Sequence, residues 1–140
     1  MLRVSIFLVT LCVGYLSAEK PVVYLVPEKI VQTLPQVMEC IAETGVDFEV
    51  LNKLRTGVSA DSKDPRIAKF AHCGMKKNGL AKKNGRPEID KLMAFYPSSA
   101  DKAAIRKVME ECDKEGKNPV DTSYKFAQCF EKNAPVKVMF

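Results

Sequence analysis

The chain has one histidine in 140 residues, and that scarcity removes most hydrolytic and metal chemistry at the outset. His72 lies beside Cys73, with no second metal-type ligand at useful spacing, so it reads as a structural or surface group. No glycine-rich phosphate loop, paired-carboxylate signature or zinc spacing occurs. There is no N-x-S/T acceptor, internal repeat or low-complexity tract. Of the five cysteines, all but the first are expected in bridges, which leaves no thiolate nucleophile. The sequence therefore predicts no enzyme, no cofactor and no metal.

Long apolar runs are equally scarce: one occurs, at the start. Met1–Ala18 carries a positive charge at Arg3, an apolar stretch from Val4 to Leu16 and a small-residue exit at Ser17 and Ala18. That stretch is too short to span a bilayer and fits a secretory signal at 1–18, cut after Ala18. Cys12 leaves with it. Residues 19–140 are then one domain carrying an even four cysteines into an oxidising compartment, so secretion to the extracellular space is expected. The formal charge of +5 is spread as Lys against Glu and Asp along helix-like faces. Lys76, Lys77, Lys82 and Lys83 flank Gly79 and Gly85 and read as a solvated loop. Neither nucleic-acid binding nor membrane insertion is expected.

What the chain has in quantity is helical periodicity. Gly45, Gly57, Gly79 and Gly116 stand after helical runs as stops. Asp64 before Pro65, Ser98 with Asp101 three residues on, and Asn118 before Pro119 read as starts. Apolar positions recur at three and four: Ile30, Leu34, Val37, Ile41; Phe48, Leu51, Leu54; Ile67, Phe70, Gly74. The pattern continues with Ile89, Leu92, Met93, Tyr96; Ala104, Ile105, Val108, Cys112; and Tyr124, Phe126, Ala127, Phe130. The reading is all-α, about six short helices of some 10–16 residues. Pro35 kinks the first or makes it begin late. Only Val22–Val26 and Val136–Phe140 resemble strands.

Cys40, Cys73, Cys112 and Cys129 are separated by 32, 38 and 16 residues, and four cysteines allow three pairings that spacing alone does not decide. Helix order favours one. The fifth and sixth stretches are joined by a short turn at 116–118, so antiparallel packing would bring Cys112 to Cys129 and leave Cys40 for Cys73. Each bridge would contribute about 3 kcal/mol on the chain-entropy model.

Several strings are more specific than the count. Cys40 is followed by Ile-Ala-Glu-Thr-Gly-Val and preceded by Pro35. Phe70-Ala-His-Cys73 leads into Asn78-Gly-Leu and Asn84-Gly, and Leu92 runs to Pro97. Glu110-Glu-Cys112-Asp is followed by Asn118-Pro119 and by Tyr124-Lys-Phe-Ala-Gln-Cys129-Phe. Over nearly all of residues 19–140 these resemble the insect odorant-binding proteins of the pheromone and general odorant-binding type. That family has six cysteines, and the two absent here would stand at Lys69 and Val120. Both partners of one bridge are missing together, which resembles the four-cysteine ("Minus-C") subgroup and implies the pairing Cys40–Cys73 and Cys112–Cys129. It also implies looser packing of the third helix on the sixth.

The function so implied is reversible carriage of small hydrophobic molecules (odorants, pheromones or similar) in an apolar internal cavity through an aqueous secretion. The candidate lining is Leu34, Met38, Ile89, Leu92, Met93, Tyr96, Ala104, Ile105, Val108, Met109, Phe126, Phe130 and Phe140; each could equally be ordinary core. Methionines would let the wall adapt, and Tyr96 or Tyr124 could orient an alcohol, ester or carbonyl. The tail from Val136 is apolar enough to act as a lid. With one histidine, no strong switch between pH 5 and 7 is expected. The implied partners are the small molecule and a membrane chemoreceptor, and the protein is expected as a monomer or weak homodimer. Two alternatives remain: a secreted signalling or seminal-fluid factor on the same scaffold without cargo, and a saposin-like membrane-active protein.

Overall fold

The computed structural model describes residues 19–55 and 64–139; the expected signal at 1–18, Gly57 and Phe140 lie outside them. The described elements are β1 (Val22–Tyr24), α1 (Pro27–Thr44), α2 (Phe48–Arg55), α3 (Pro65–Lys77), α4 (Ile89–Met93), α5 (Lys102–Cys112), α6 (Pro119–Asn133) and β2 (Lys137–Met139). The fold is all-α, with six helices among the described residues.

α1 begins at Pro27, where a missing N–H is not needed, and continues through Pro35 instead of starting after it. The bond lost at Pro35 would have gone to the carbonyl of Val31, on an exposed side of the helix where water can satisfy it. Gly45 ends α1 at φ 64°, its N–H donating to the Ile41 carbonyl at 3.0 Å. The expected starts at Asp64 and Asn118 hold: their side chains accept from the N–H groups of Arg66 and Asp121. α5 differs, because Asp101 rather than Ser98 caps it, accepting from the Ala104 N–H at 3.1 Å. Its stop is at Asp113, ahead of Gly116. α4 has only 5 residues, since Pro97 disfavours the helical state at Tyr96.

α3 packs on both α1 and α6, and α5 packs on α6 and α4. The two disulfides pin these crossings, Cys40–Cys73 with Cα atoms 5.8 Å apart and Cys112–Cys129 at 5.6 Å. The pairing is the expected one, but the geometry behind the second bridge is not a tight hairpin. Cys129 lies ten residues into α6, about 15 Å from its start at 1.5 Å per residue. Residues 113–118 therefore run back alongside α6 for roughly three turns before entering it. They are held on the way: the Gly116 N–H donates to Thr122 Oγ1 and the Lys117 N–H to Asp121 Oδ2, both at 2.8 Å.

The chain ends close the structure. β1 and β2 pair in parallel, Val22 against Lys137, Val23 against Val138 and Tyr24 against Met139. The Val26 N–H then donates to the carbonyl of Phe95 at 2.8 Å, tying the sheet to the end of α4. The loop between α3 and α4 is ordered rather than loosely solvated. Arg86 grips Asp113 through Nε and Nη2 at 2.8 and 3.1 Å. Buried Gly85 has φ 87°, and a Cβ there would lie 2.1 Å from the Pro119 carbonyl oxygen.

Candidate ligand site

Periodicity in α5 and α6 builds the centre. Ile105, Met109 and Cys112 recur at four and three along α5, so they share one face, and they are buried. Phe126 and Phe130 stand one turn apart on α6 with rings stacked 6.2 Å between centroids and 17° apart in plane. Met93 and Tyr96 come from the end of α4, and Val136 from just before β2. These side chains form one apolar cluster, with Ile89, Leu92 and Val108 packed against it. Nine of the thirteen candidate residues thus meet: Ile89, Leu92, Met93, Tyr96, Ile105, Val108, Met109, Phe126 and Phe130.

Leu34 and Met38 do not join them; they are 50 % and 63 % exposed. The cause is the first bridge. Cys40 is buried and clamped to Cys73, which fixes the rotation of α1. Met38, two residues earlier, is then about 200° around the helix at 3.6 residues per turn, and Leu34 also faces out. Ala104 is half-buried and outside the cluster. Phe140 lies outside the described residues.

The sheet supplies lining that periodicity passed over. Val23 and Leu25, together with Val138, pack against the cluster from β1 and β2. The apolar tail was a visible signal, and its described part is a strand paired with β1.

Tyr96 is the distinctive group. It is only 7 % exposed, and its hydroxyl has no hydrogen-bond partner among the described residues. Burial pushes its pKa up to about 12, so the phenol stays neutral and able to donate. No buried side-chain polar atom among the described residues lacks a partner, so this hydroxyl reaches solvent at the edge of the cluster, where water or a guest can satisfy it.

Behind α4 lies a cleft of about 390 Å³. One wall is the face of α1 bearing Lys29, Gln32, Thr33 and Gln36; the other runs from Lys77 to Leu80 and along Lys91, Ala94 and Phe95. The last turn of α4 divides the two regions: Met93 and Tyr96 face the cluster, while Lys91 and Ala94 face the cleft. Phe95 touches both. Lys77 is held by Glu39 at 2.8 Å and by Glu43. No helix among the described residues is long and apolar enough to cross a membrane.

The family model for the PBP/GOBP family matches residues 25–133. Odorant-binding protein 10 of Aedes aegypti is 28% identical over 96 residues, 69% of each chain. A solved odorant-binding protein of Locusta migratoria superposes with a TM-score of 0.66 at 18% identity, covering 80% of this chain and 86% of that one. Odorant Binding Protein 7 of Anopheles gambiae, which has four disulfide bridges and was solved in complex with an azo compound, gives 0.62 at 23%, covering 76% and 86%. The helical order, the two bridges and the match across most of the sequence agree: the chain belongs to the PBP/GOBP family, the insect odorant-binding proteins, as a four-cysteine, Minus-C member.

Proposed function

We propose that this protein is a secreted carrier that takes up small hydrophobic molecules reversibly and carries them through aqueous secretion, with no covalent step. The observation that carries the reading is the apolar cluster built on Met93, Met109 and Phe126, with the solvent-reaching Tyr96 hydroxyl at its edge. Methionine side chains are unbranched and rearrange at low cost, so the cluster can open around guests of several shapes. A ligand burying on the order of 300 Å² gains about 7 kcal/mol at 25 cal/mol per Å². That gross figure corresponds to about 10 μM, and ordering costs weaken it to on the order of 100 μM. Tyr96 then fixes one oxygen of an alcohol, ester or carbonyl. The azo compound held by the Anopheles relative supports a small organic guest. The cargo would be an odorant, a pheromone or a similar molecule, delivered to a membrane chemoreceptor.

The test is displacement of an uncharged naphthylamine fluorophore by volatile alcohols and esters. Saturable displacement supports carriage; absence of probe binding to the disulfide-bonded protein refutes it. One feature favours the cargo-free interaction protein as a second reading. Val31, Leu34 and Met38 form an exposed apolar stripe on α1. That reading requires a saturable protein receptor and no displacement.

A further inference from the structure

The cleft behind α4 has an electrostatic character that the apolar cluster does not explain. Three lysines line it and no carboxylate does. Lys77 is paired with both Glu39 and Glu43, whose two charges outweigh its own. Lys29 and Lys91 have no ion-pair partner among the described residues, although they come from opposite walls. Lys91 is positioned by the turn after α3, for its Nζ lies 3.8 Å from where a Cβ of Gly79 would stand. Lys29 sits in the first turn of α1, where the helix dipole already favours negative charge. Two ammonium groups without ion-pair partners among the described residues, lining one cleft, give it a positive character that favours an anion. Leu80 and Phe95 supply apolar surface below them.

We propose that this cleft reads the anionic head of an amphiphilic ligand, with Lys29 and Lys91 pairing a carboxylate and the ligand's tail lying on Leu80 and Phe95. The inference rests on the carrier reading and sharpens it, since it names acids rather than alcohols as the preferred cargo. Phe95 links the two regions, because it lines the cleft on one side and packs on the Met93–Tyr96 cluster on the other.

The experiment compares decanoate with decanol, which share a tail and differ at the head, as competitors for the naphthylamine probe on the disulfide-bonded protein. The wild-type protein should prefer decanoate at low salt, and the preference should shrink as salt is added. Lys29→Gln with Lys91→Gln should weaken decanoate about 3- to 10-fold, the range of two partly exposed ion pairs, and leave decanol within about two-fold. Lys82→Gln, an exposed lysine outside the cleft lining, should change the ratio far less. Equal weakening of acid and alcohol in the double variant, or no preference for the acid in the wild type, overturns the inference while leaving carriage intact. If probe and decanol both fail to bind, the carrier reading falls and this one with it. The replaced side chains lie at the cleft surface, and an unchanged far-ultraviolet CD spectrum shows that the variant has folded.

Discussion

Replacing Tyr96 with phenylalanine separates a structural hydroxyl from one kept for a guest. Removing a buried hydroxyl that has a protein partner usually destabilises by about 1–3 kcal/mol, because the partner is left unsatisfied. Here the side chain is 7 % exposed and its hydroxyl reaches solvent without a partner among the described residues, so nothing is orphaned. Tyr96→Phe should therefore leave stability within about 0.5 kcal/mol of wild type, or raise it. Binding should respond differently. One neutral hydrogen bond contributes about 0.5–1.5 kcal/mol, or about 2- to 12-fold in Kd. An alcohol or ester should lose that factor, while a hydrocarbon of the same shape should bind unchanged. Urea unfolding and probe displacement on one pair of proteins read both quantities, and Tyr24→Phe, at 69 % exposure, is the control. A stability loss above about 1 kcal/mol would place a hidden partner on the phenol. Equal loss for ester and hydrocarbon would mean that the ring, not its hydroxyl, matters. Either result refutes the reasoning.

The two left-handed glycines near the cleft should differ sharply in denaturant unfolding. Gly79→Ala meets only the end of Lys91 at 3.8 Å and should cost about 1–2 kcal/mol for the backbone conformation. Gly85→Ala drives a Cβ to 2.1 Å from backbone oxygen and should cost more than about 3 kcal/mol, and similar costs would sink the steric argument. Cysteines at both Lys69 and Val120 should form a third bridge and raise Tm; the ceiling is about 4 kcal/mol for the loop, reduced because two bridges already constrain it. No rise in Tm would count against the assignment of those positions. The His72 imidazole is held below its ordinary 6.5 by burial, then by Lys76. The unfolded chain therefore binds the proton first, so this stability is present above pH 6.5 and is lost as pH falls below it. A Tm scan should show that loss diminished in His72→Gln, and an identical scan would exclude the histidine as its source.

Local chemistry made most of the fold readable. Caps at Asp64 and Asn118 and the stop at Gly45 depend on a few neighbouring atoms, so the residues that make them announce them. The clustered faces of α5 and α6 were legible for the same reason, since burial at i, i+3 and i+4 is a property of one helix. What failed was rotation and distance. A stripe through Ile30, Leu34, Val37 and Ile41 looks single in sequence, yet the clamp at Cys40 turns Leu34 and Met38 outward while Ile30, Val37 and Ile41 stay half-buried. The pairing of β1 with β2 joins segments over a hundred residues apart, and no local pattern encodes which short strand meets which. The cleft was invisible likewise, because Lys29 and Lys91 come to line one cleft only when α1 and α4 are placed.

The missing third bridge shows how these levels combine. Lys69 and Val120 lie on α3 and α6, the helices that such a bridge would join. Three residues further along each helix, His72 Nδ1 meets Ser123 Oγ at 2.8 Å, and Ser123 donates its proton to the Gly85 carbonyl at 2.9 Å. Because the serine has one proton to give and gives it to Gly85, the histidine must be the donor, which fixes the Nδ1–H tautomer. Protonation at the other nitrogen leaves that bond intact, so acid acts on this junction through desolvation and the Lys76 charge, not by breaking the relay. A relay of two neutral hydrogen bonds contributes about 1 kcal/mol each, against about 3 for a bridge. It also opens and re-forms without redox chemistry. For the carriage proposed above, a weaker and reversible tie between α3 and α6 would favour entry and release, at a cost in stability that the remaining two disulfides limit.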